Sequence, residues 1–264
     1  KKGLSDFYEP KLEMFLKQAI KKEKIKFTHD FKEILKTDIT FVTVGTPSSN
    51  NGKINLSYIE NVISSLLKIL KYKKEKHTVV IKSTVAPTTT LKKIYPKFYK
   101  LKNIKLVVNP EFLRESLAIE DLLNPHLIVI GENKENDSLE LKKYYEMFYT
   151  KCPEILITDF SSAEMIKYSN NAFLATKISF INSIANICQK IPNSDVKTIA
   201  YAIGKDPRIG SSFLNAGPGF GGSCLPKDLA ALIEFSKKID NSILNSVKIV
   251  NENQPKKIIE IVKK

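Results

Sequence analysis

From Asp38 to Asp159 the chain alternates short β-branched runs with longer stretches in which apolar residues recur every three or four positions. DITFVTVG, HTVVIKSTV, NIKLVVN, HLIVIG and EILITD each predict a strand, and helical spacing predicts helices over 56–71, near 88–100 and over 136–149. This alternation is the signature of a parallel sheet with crossover helices. After Asp159 only helical spacing remains. Ser161 and Glu164 stand three apart, as in a capping box, and Ile166, Phe173, Ile178, Ile181, Ile184 and Cys188 follow at helical intervals. Further helices are predicted near 195–203, 227–238 and 242–264. The chain therefore reads as an α/β domain over 1–159 and an all-helical domain over 160–264.

The helix predicted over about 162–190 carries Ile166, Phe173, Leu174, Ile178, Phe180, Ile181, Ile184 and Ile187. These cover more of its circumference than the roughly 100° stripe that a one-sided surface helix needs. It must be covered on two sides, and a homodimer through this helical region is the expected arrangement.

The polar residues that interrupt the pattern collect where strands end. VGTPSSNNG, STVAPTTT and NPEFLRES follow successive strands, and in open α/β sheets ligands bind beyond the carboxyl ends of the strands. The third loop carries Glu111, Arg114 and Glu115. On the first long helix, Lys167 and Asn171 are four apart and share a face, a fixed cation beside a neutral donor suited to a developing oxyanion. GPGFGG at 217–222 matches the GxGxxG pattern of dinucleotide loops. Yet no buried strand precedes it, and about twenty positions on, where a ribose-binding acid would stand, are Lys237 and Lys238, followed only by Asp240. It reads instead as a flexible loop presenting Cys224, with Lys227 and Asp228 just behind.

Composition narrows the function classes. The chain has 264 residues, 42% hydrophobic and 27% charged, ordinary for a soluble globular protein, and its apolar runs fall far short of the roughly 18 residues of a spanning helix. The net charge is +14, but only Arg114 and Arg208 are arginines among 42 basic residues. Nucleic-acid readers lean on arginine, so the lysines, running along predicted helical segments such as KKEKIK and KYKKEK, read as a solvated surface; neither a nucleic-acid nor a membrane partner is expected. Cys152, Cys188 and Cys224 are too few for a disulfide framework, which fits a reducing cytoplasm, and Cys188 reads as a buried hydrophobe. His29, His77 and His126 have no ligand spacing, so no metal site is expected.

VGTP, KSTVAPTT, NPEFLRES with AIEDLLNPHLIVIG, AEMIKYSNNAFLATKISFIN, and RIGSSFLNAGPGFGGSCLPKD occur in this order along the chain. Together they resemble the UDP-glucose 6-dehydrogenase and GDP-mannose 6-dehydrogenase family over nearly the whole sequence. The resemblance implies a Rossmann-like doubly wound sheet followed by an all-helical central domain, and two oxidations of a nucleotide sugar with NAD through a cysteine thioester. It implies Cys224 as nucleophile and Glu111 as the base for thioester hydrolysis, with Lys167, Asn171 and Asp228 steadying oxyanion and water and Thr84 close to both cofactor and water. Val44, Gly45, Thr46, Pro47, Ser48, Ser83, Thr84, Val85, Glu115 and Lys227 resemble NAD contacts. Glu111, Phe112, Leu113, Arg114, Lys167, Asn171, Arg208, Phe213 and the run from Asn215 through Gly219, Phe220 and Gly221 resemble substrate contacts, Arg208 reaching the neighbouring subunit's substrate in a homodimer.

The sequence begins at KKGLSDFYEP, where the family has already passed a first strand, a true GxGxxG loop and a ribose-binding acid; it ends inside a long helix that in the family leads to a third domain. The sheet is therefore expected to be incomplete and the chain to be the middle of the enzyme. Ser116, in place of the usual glycine, and Thr88 within APTTT are smaller departures. FLNAGPGFGGSC favours UDP-glucose as substrate, while CLPKD also suits GDP-mannose. A cysteine acyltransferase or hydrolase would want a histidine base near the thiol, and no histidine lies in the motif that carries Cys224. A non-catalytic interaction domain built on the long apolar helix is the other alternative.

Overall fold

The computed structural model describes residues 3–49 and 52–263. The chain forms two compact units: Lys1–Thr46 with Leu56–Lys167, and Pro47–Asn55 with Tyr168–Lys264. In chain order the elements are α1 (Leu12–Lys21), a 3-10 turn (Phe31–Lys36), β1 (Ile39–Val42), α2 (Ser57–Leu70), β2 (His77–Ile81), a wide helical turn (Thr90–Ile94) running into α3 (Tyr95–Phe98), β3 (Ile104–Val108), α4 (Ala118–Leu123), β4 (Ile128–Glu132), α5 (Leu139–Phe148), β5 (Ile155–Asp159), α6 (Phe160–Cys188), α7 (Val196–Gly204), α8 (Leu225–Phe235) and α9 (Ser242–Val262).

In the first unit the strands lie in the order β1-β2-β3-β4-β5. β1, β2 and β3 are parallel and end together, Val42 opposite Ile81 and Ile81 opposite Val108, so the three following loops leave one edge of the sheet. β4 departs from the expected all-parallel sheet, meeting β3 antiparallel at Val108 and Gly131, while β4 and β5 are again parallel. The chain between β3 and β4 holds only the six-residue α4, whereas a parallel return normally uses a full crossover helix.

All five residues of β2 are buried, the polar His77 and Thr78 as well as Val79, Val80 and Ile81. Val79 and Ile81 pack with Ile59, Ile63, Leu66 and Leu70 of α2, and Val80 packs on the opposite face with Val107, Leu141 and Tyr145. Each such side chain withdrawn from water contributes about 1.5–3 kcal/mol. Gly131 lets the first turn of α6 approach β4: a Cβ there would lie 2.8 Å from the Ala163 Cβ and 2.9 Å from the Asp159 carbonyl oxygen.

Two local expectations are corrected. The Ser161–Glu164 capping box does not form. Asp159, directly at the strand-to-helix junction, caps α6 by accepting from Ser162 N at 2.9 Å and Ser162 Oγ at 2.6 Å, which releases Glu164 to accept from Thr90 N at 2.8 Å. The lysine runs also lie elsewhere than along helices: KKEKIK begins at the last residue of α1 and KYKKEK just beyond α2, where cations complement the negative helix end. Lys73 of the second run is buried and donates to the carbonyls of Leu35 at 2.7 Å and Thr37 at 2.8 Å.

The regular elements of the second unit are the helices from α6 to α9, joined by loops, with a short bridge between Ser48 and Ile54. Its core includes Ile181, Leu229, Leu232 and Val247. Asp195 caps α7 through Lys197 N and Thr198 N. α6 meets α9 through polar contacts, Ser179 Oγ donating to the Val247 carbonyl at 3.1 Å and Asn186 Nδ2 to Gln254 Oε1 at 3.1 Å. Among the described residues, no helix is long and apolar enough to cross a membrane.

Candidate active site

At the carboxyl edge of the sheet, Lys82 and Asn109 each directly follow a strand, and the register brings them together: Lys82 Nζ donates to Asn109 Oδ1 at 3.0 Å. Asn109 also donates to the Val129 carbonyl at 2.8 Å and accepts from the Tyr145 hydroxyl. Two residues on, Glu111 pairs with Lys167 of α6 at 3.1 Å while its other oxygen accepts from Leu113 N at 2.7 Å. Lys167 is only 4% exposed, and its ammonium stands 5.4 Å from the centre of the Phe112 ring. A lone ammonium this deep would be costly; the carboxylate and the ring face together compensate it. Burial pushes Lys82 down to about 8, with Glu111 opposing that fall and Lys167 reinforcing it. Two lysines thus act on one carboxylate.

The loops after β1 and β2 are tied at the same edge. Thr46 Oγ1 donates to the Thr84 carbonyl at 2.6 Å, and Ser83 Oγ to the Val44 carbonyl at 2.7 Å. A Cβ on Gly45 would meet nothing within 4 Å, so its face is open. Val85 is buried among the core residues.

In the second unit Cys224 is the N-cap residue of α8; its thiol is exposed, with Sγ 3.6 Å from Ser223 Oγ. Pro226 in the first turn needs no amide partner there. Asp228, 1% exposed, holds its carboxylate between Lys227 Nζ at 2.7 Å and Asn171 Nδ2 at 2.6 Å, and its amide donates to the Cys224 carbonyl at 2.8 Å. Asn171 stands four residues after Lys167 on the continuous helix α6. Cys188 is buried and Cys152 half-buried. Phe213 is half-buried with φ 65°, and Asn215 and Gly221 are exposed.

Both arginines are exposed and held by an aspartate. Arg114 grips Asp121 through Nη2 at 2.6 Å and Nε at 3.0 Å; Arg208 grips Asp206 through Nη2 at 2.6 Å. Hydrogen bonds from Arg114 hold the Asp121 carboxyl below the usual carboxylate range. Glu115 is exposed, and Ser116 beside it has φ 66°.

The sequence reading passed over Lys82 and Asn109 as site residues and paired Glu164 with Ser161. A visible signal existed for the first two, a polar residue immediately after an apolar strand on the ligand-facing edge.

Residues 1–149 match the NAD binding domain, and residues 161–253 the central domain, of the UDP-glucose/GDP-mannose dehydrogenase family. The UDP-glucose 6-dehydrogenase of Rickettsia bellii (strain RML369-C) is 44% identical over 262 residues, which are 98% of this chain and 59% of that protein. The UDP-glucose 6-dehydrogenase YwqF of Bacillus subtilis (strain 168) is 40% identical over 266 residues, again 98% and 59%. Among solved structures, a UDP-glucose dehydrogenase from the hyperthermophilic archaeon Pyrobaculum islandicum superposes with TM-score 0.91 at 35% identity, covering 98% of this chain and 60% of that one. A GDP-mannose dehydrogenase from Pseudomonas aeruginosa, solved as a ternary complex, gives 0.74 at 34%, covering 99% and 62%. The chain thus spans about three fifths of the length of these relatives. Two successive family domains, met in the order in which the sheet and the helices follow one another here, settle its kinship: the chain belongs to the UDP-glucose/GDP-mannose dehydrogenase family.

Proposed function

We propose that the full-length protein oxidises the primary alcohol of a nucleotide sugar, UDP-glucose, to the carboxylate in two NAD-dependent steps joined by a thioester on Cys224. The observation that carries this reading is the exposed Cys224 thiol at the start of α8, with the buried Asp228 and its partners Lys227 and Asn171 one turn behind. A helix N-terminus favours negative charge on such a thiol.

The residues present fit part of the cofactor: the tied loops at the sheet edge, with the open face of Gly45, leave room beside the backbone. Val44–Ser48, Ser83–Val85, Glu115 and Lys227 would hold it. When bound, NAD supplies the hydride acceptor for each oxidation. The chain's own groups handle the carbon and the protons. The Cys224 thiolate adds to the aldehyde carbon, forming the C–S bond and an alkoxide that Lys167 and Asn171 stabilise by charge and hydrogen bond. Loss of the second hydride turns this adduct into a thioester. Glu111 takes a proton from water as the water oxygen attacks the thioester carbon; the C–S bond breaks, the Cys224 thiolate is regenerated, and the carboxylic acid leaves, giving its remaining proton to solvent. Phe112, Leu113 and the run Asn215–Gly221, including Gly219 and Phe220, line the sugar nucleotide, with Phe213 beside them. Arg114 and Arg208 contact it after exchanging Asp121 and Asp206 for phosphate, which suits a guanidinium.

UDP-glucose is preferred to GDP-mannose because relatives at 44% and 40% identity carry the former name and the GDP-mannose enzyme stands at 34%. Phe173, Phe180 and Ile187, seven apart on α6, are 64%, 51% and 55% exposed. That apolar stripe supports a homodimer joined through the helical unit. In the full-length protein Cys224→Ala should reduce acid formation from UDP-glucose at least about 10³-fold, while Cys152→Ala and Cys188→Ala keep turnover. Wild-type-like acid formation in the Cys224 variant would refute the covalent route.

A further inference from the structure

We infer that Asn251, helped by Asn182, is a positioning residue that fixes the backbone of the GPGF segment leading to Cys224. The inference rests on the proposed role of Cys224 for its consequence, though not for its geometry.

Residues 212–223 belong to no helix or strand, so their backbone groups need partners from elsewhere. Among the described residues, side chains supply three. Gly217 N donates to Asn182 Oδ1 at 2.8 Å; Phe220 N donates to Asn251 Oδ1 at 2.7 Å; and Asn251 Nδ2 donates to the Phe220 carbonyl at 3.0 Å. One amide side chain thus satisfies both backbone groups of one residue, as a neighbouring strand would.

The glycine pattern follows from this contact. Gly219 has φ +111°, and a Cβ on it would lie 2.7 Å from Asn251 Oδ1. Gly219 is therefore the residue that lets the loop reach α9, which accounts physically for the middle glycine of GPGFGG without any pyrophosphate. α9 is adapted at the same point, since Pro255 has no N–H to give the Asn251 carbonyl four residues earlier. Asn182 is completely buried, yet its Nδ2 has no hydrogen-bond partner among the described residues. A buried donor left unmade opposes folding, so Asn182 is better explained by the loop it holds than by the helix it sits in.

Downstream the picture reverses. Gly221 and Gly222 would place a Cβ in open space, and the backbone is next held where the Asp228 amide meets the Cys224 carbonyl. The clamp at Gly217–Phe220 and the cap at Cys224 thus bracket three adaptable residues, Gly221–Ser223, and the position of the clamp sets where that short tether delivers the thiol.

Backbone amide exchange on the 264-residue chain tests the clamp, and kinetics of the full-length protein test its purpose. Asn251→Ala should speed exchange at Phe220 at least about tenfold, because two bonds are lost. Asn251→Asp, which keeps the acceptor and loses the donor, should have a smaller effect; Val79 and Val80 should stay protected in both. In the full-length protein Asn251→Ala should raise the KM for UDP-glucose about tenfold with the KM for NAD unchanged, and Asn251→Asp should recover part of it. Unchanged exchange at Phe220 would show that no clamp exists. Faster exchange with unaltered KM for UDP-glucose would show that the clamp does not position the loop for substrate. If instead Cys224→Ala retained activity, the nucleophile assignment would fail while the exchange result stood.

Discussion

Glu164→Gln offers a direct test of how the helix that carries Lys167 is joined to the loop after β2. The Glu164 carboxylate is 3% exposed and accepts from Thr90 N at 2.8 Å, while its second oxygen has no close hydrogen-bond partner among the described residues. Burial pushes its pKa from 4.5 up to about 7, against the lowering effect of hydrogen bonds from Thr90, Thr88 and Thr89. The folded state therefore binds this proton more tightly than the unfolded state does. Its contribution is complete below pH 4.5 and is lost as the pH rises through about 7. A displacement of that size corresponds to about 3 kcal/mol. Glutamine keeps a carbonyl for Thr90 N and carries no charge at any pH, so its own cost is a constant offset. Urea unfolding of both proteins from pH 4.5 to 8 should show the variant gaining about 3 kcal/mol on the wild type across that range. A difference that does not vary with pH would mean that Glu164 titrates as an exposed carboxyl does and that its burial carries no such cost.

His77 should act in the opposite sense. Burial lowers its pKa, outweighing the hydrogen bond to the Thr37 carbonyl, so stability present above pH 6.5 should fall as the pH drops below it, and less so in His77→Gln, measured by the same urea series. Thr88 and Ser116 have φ of 71° and 66°, which costs a non-glycine residue about 1–2 kcal/mol; Thr88→Gly and Ser116→Gly should each raise the midpoint of thermal unfolding, by about 1 kcal/mol in stability, and a lowered midpoint would remove the strain argument. Phe180→Lys should dissociate the proposed dimer in sedimentation equilibrium, and a wild-type chain that sediments only as a 30 kDa monomer would disprove the dimer itself.

Periodicity located elements well where burial alone decides them. β2 and β3 were readable because Val79–Ile81 and Leu106–Val108 are unbroken apolar runs, all buried, and α2 because Ile59, Ile63, Leu66 and Leu70 repeat at helical spacing. Polar partners were less readable, since a side chain's type does not name the atom it meets. Glu164 had the spacing of a cap, but Asp159, one turn earlier and shorter, took the position. Lys73 looked like one more surface lysine and instead seals two carbonyls. The GPGFGG glycines matched a nucleotide pattern whose context was absent, and only the position of Asn251 supplied the reason for Gly219. Lys167 and Asn171 were found because they share a helix face, whereas Lys82 and Asn109 come from different strands and meet only through the sheet register.

The central claim is that carbon becomes bound to Cys224 and is released by water activated at Glu111. Intact-mass measurement on full-length Glu111→Gln, incubated with saturating UDP-glucose and NAD, addresses it most directly. The account predicts that hydride transfer outlasts hydrolysis, so that a covalent sugar-nucleotide adduct accumulates on the peptide containing Cys224 and is absent from Glu111→Gln combined with Cys224→Ala. Loss of activity in Glu111→Gln with the protein mass unchanged would contradict it.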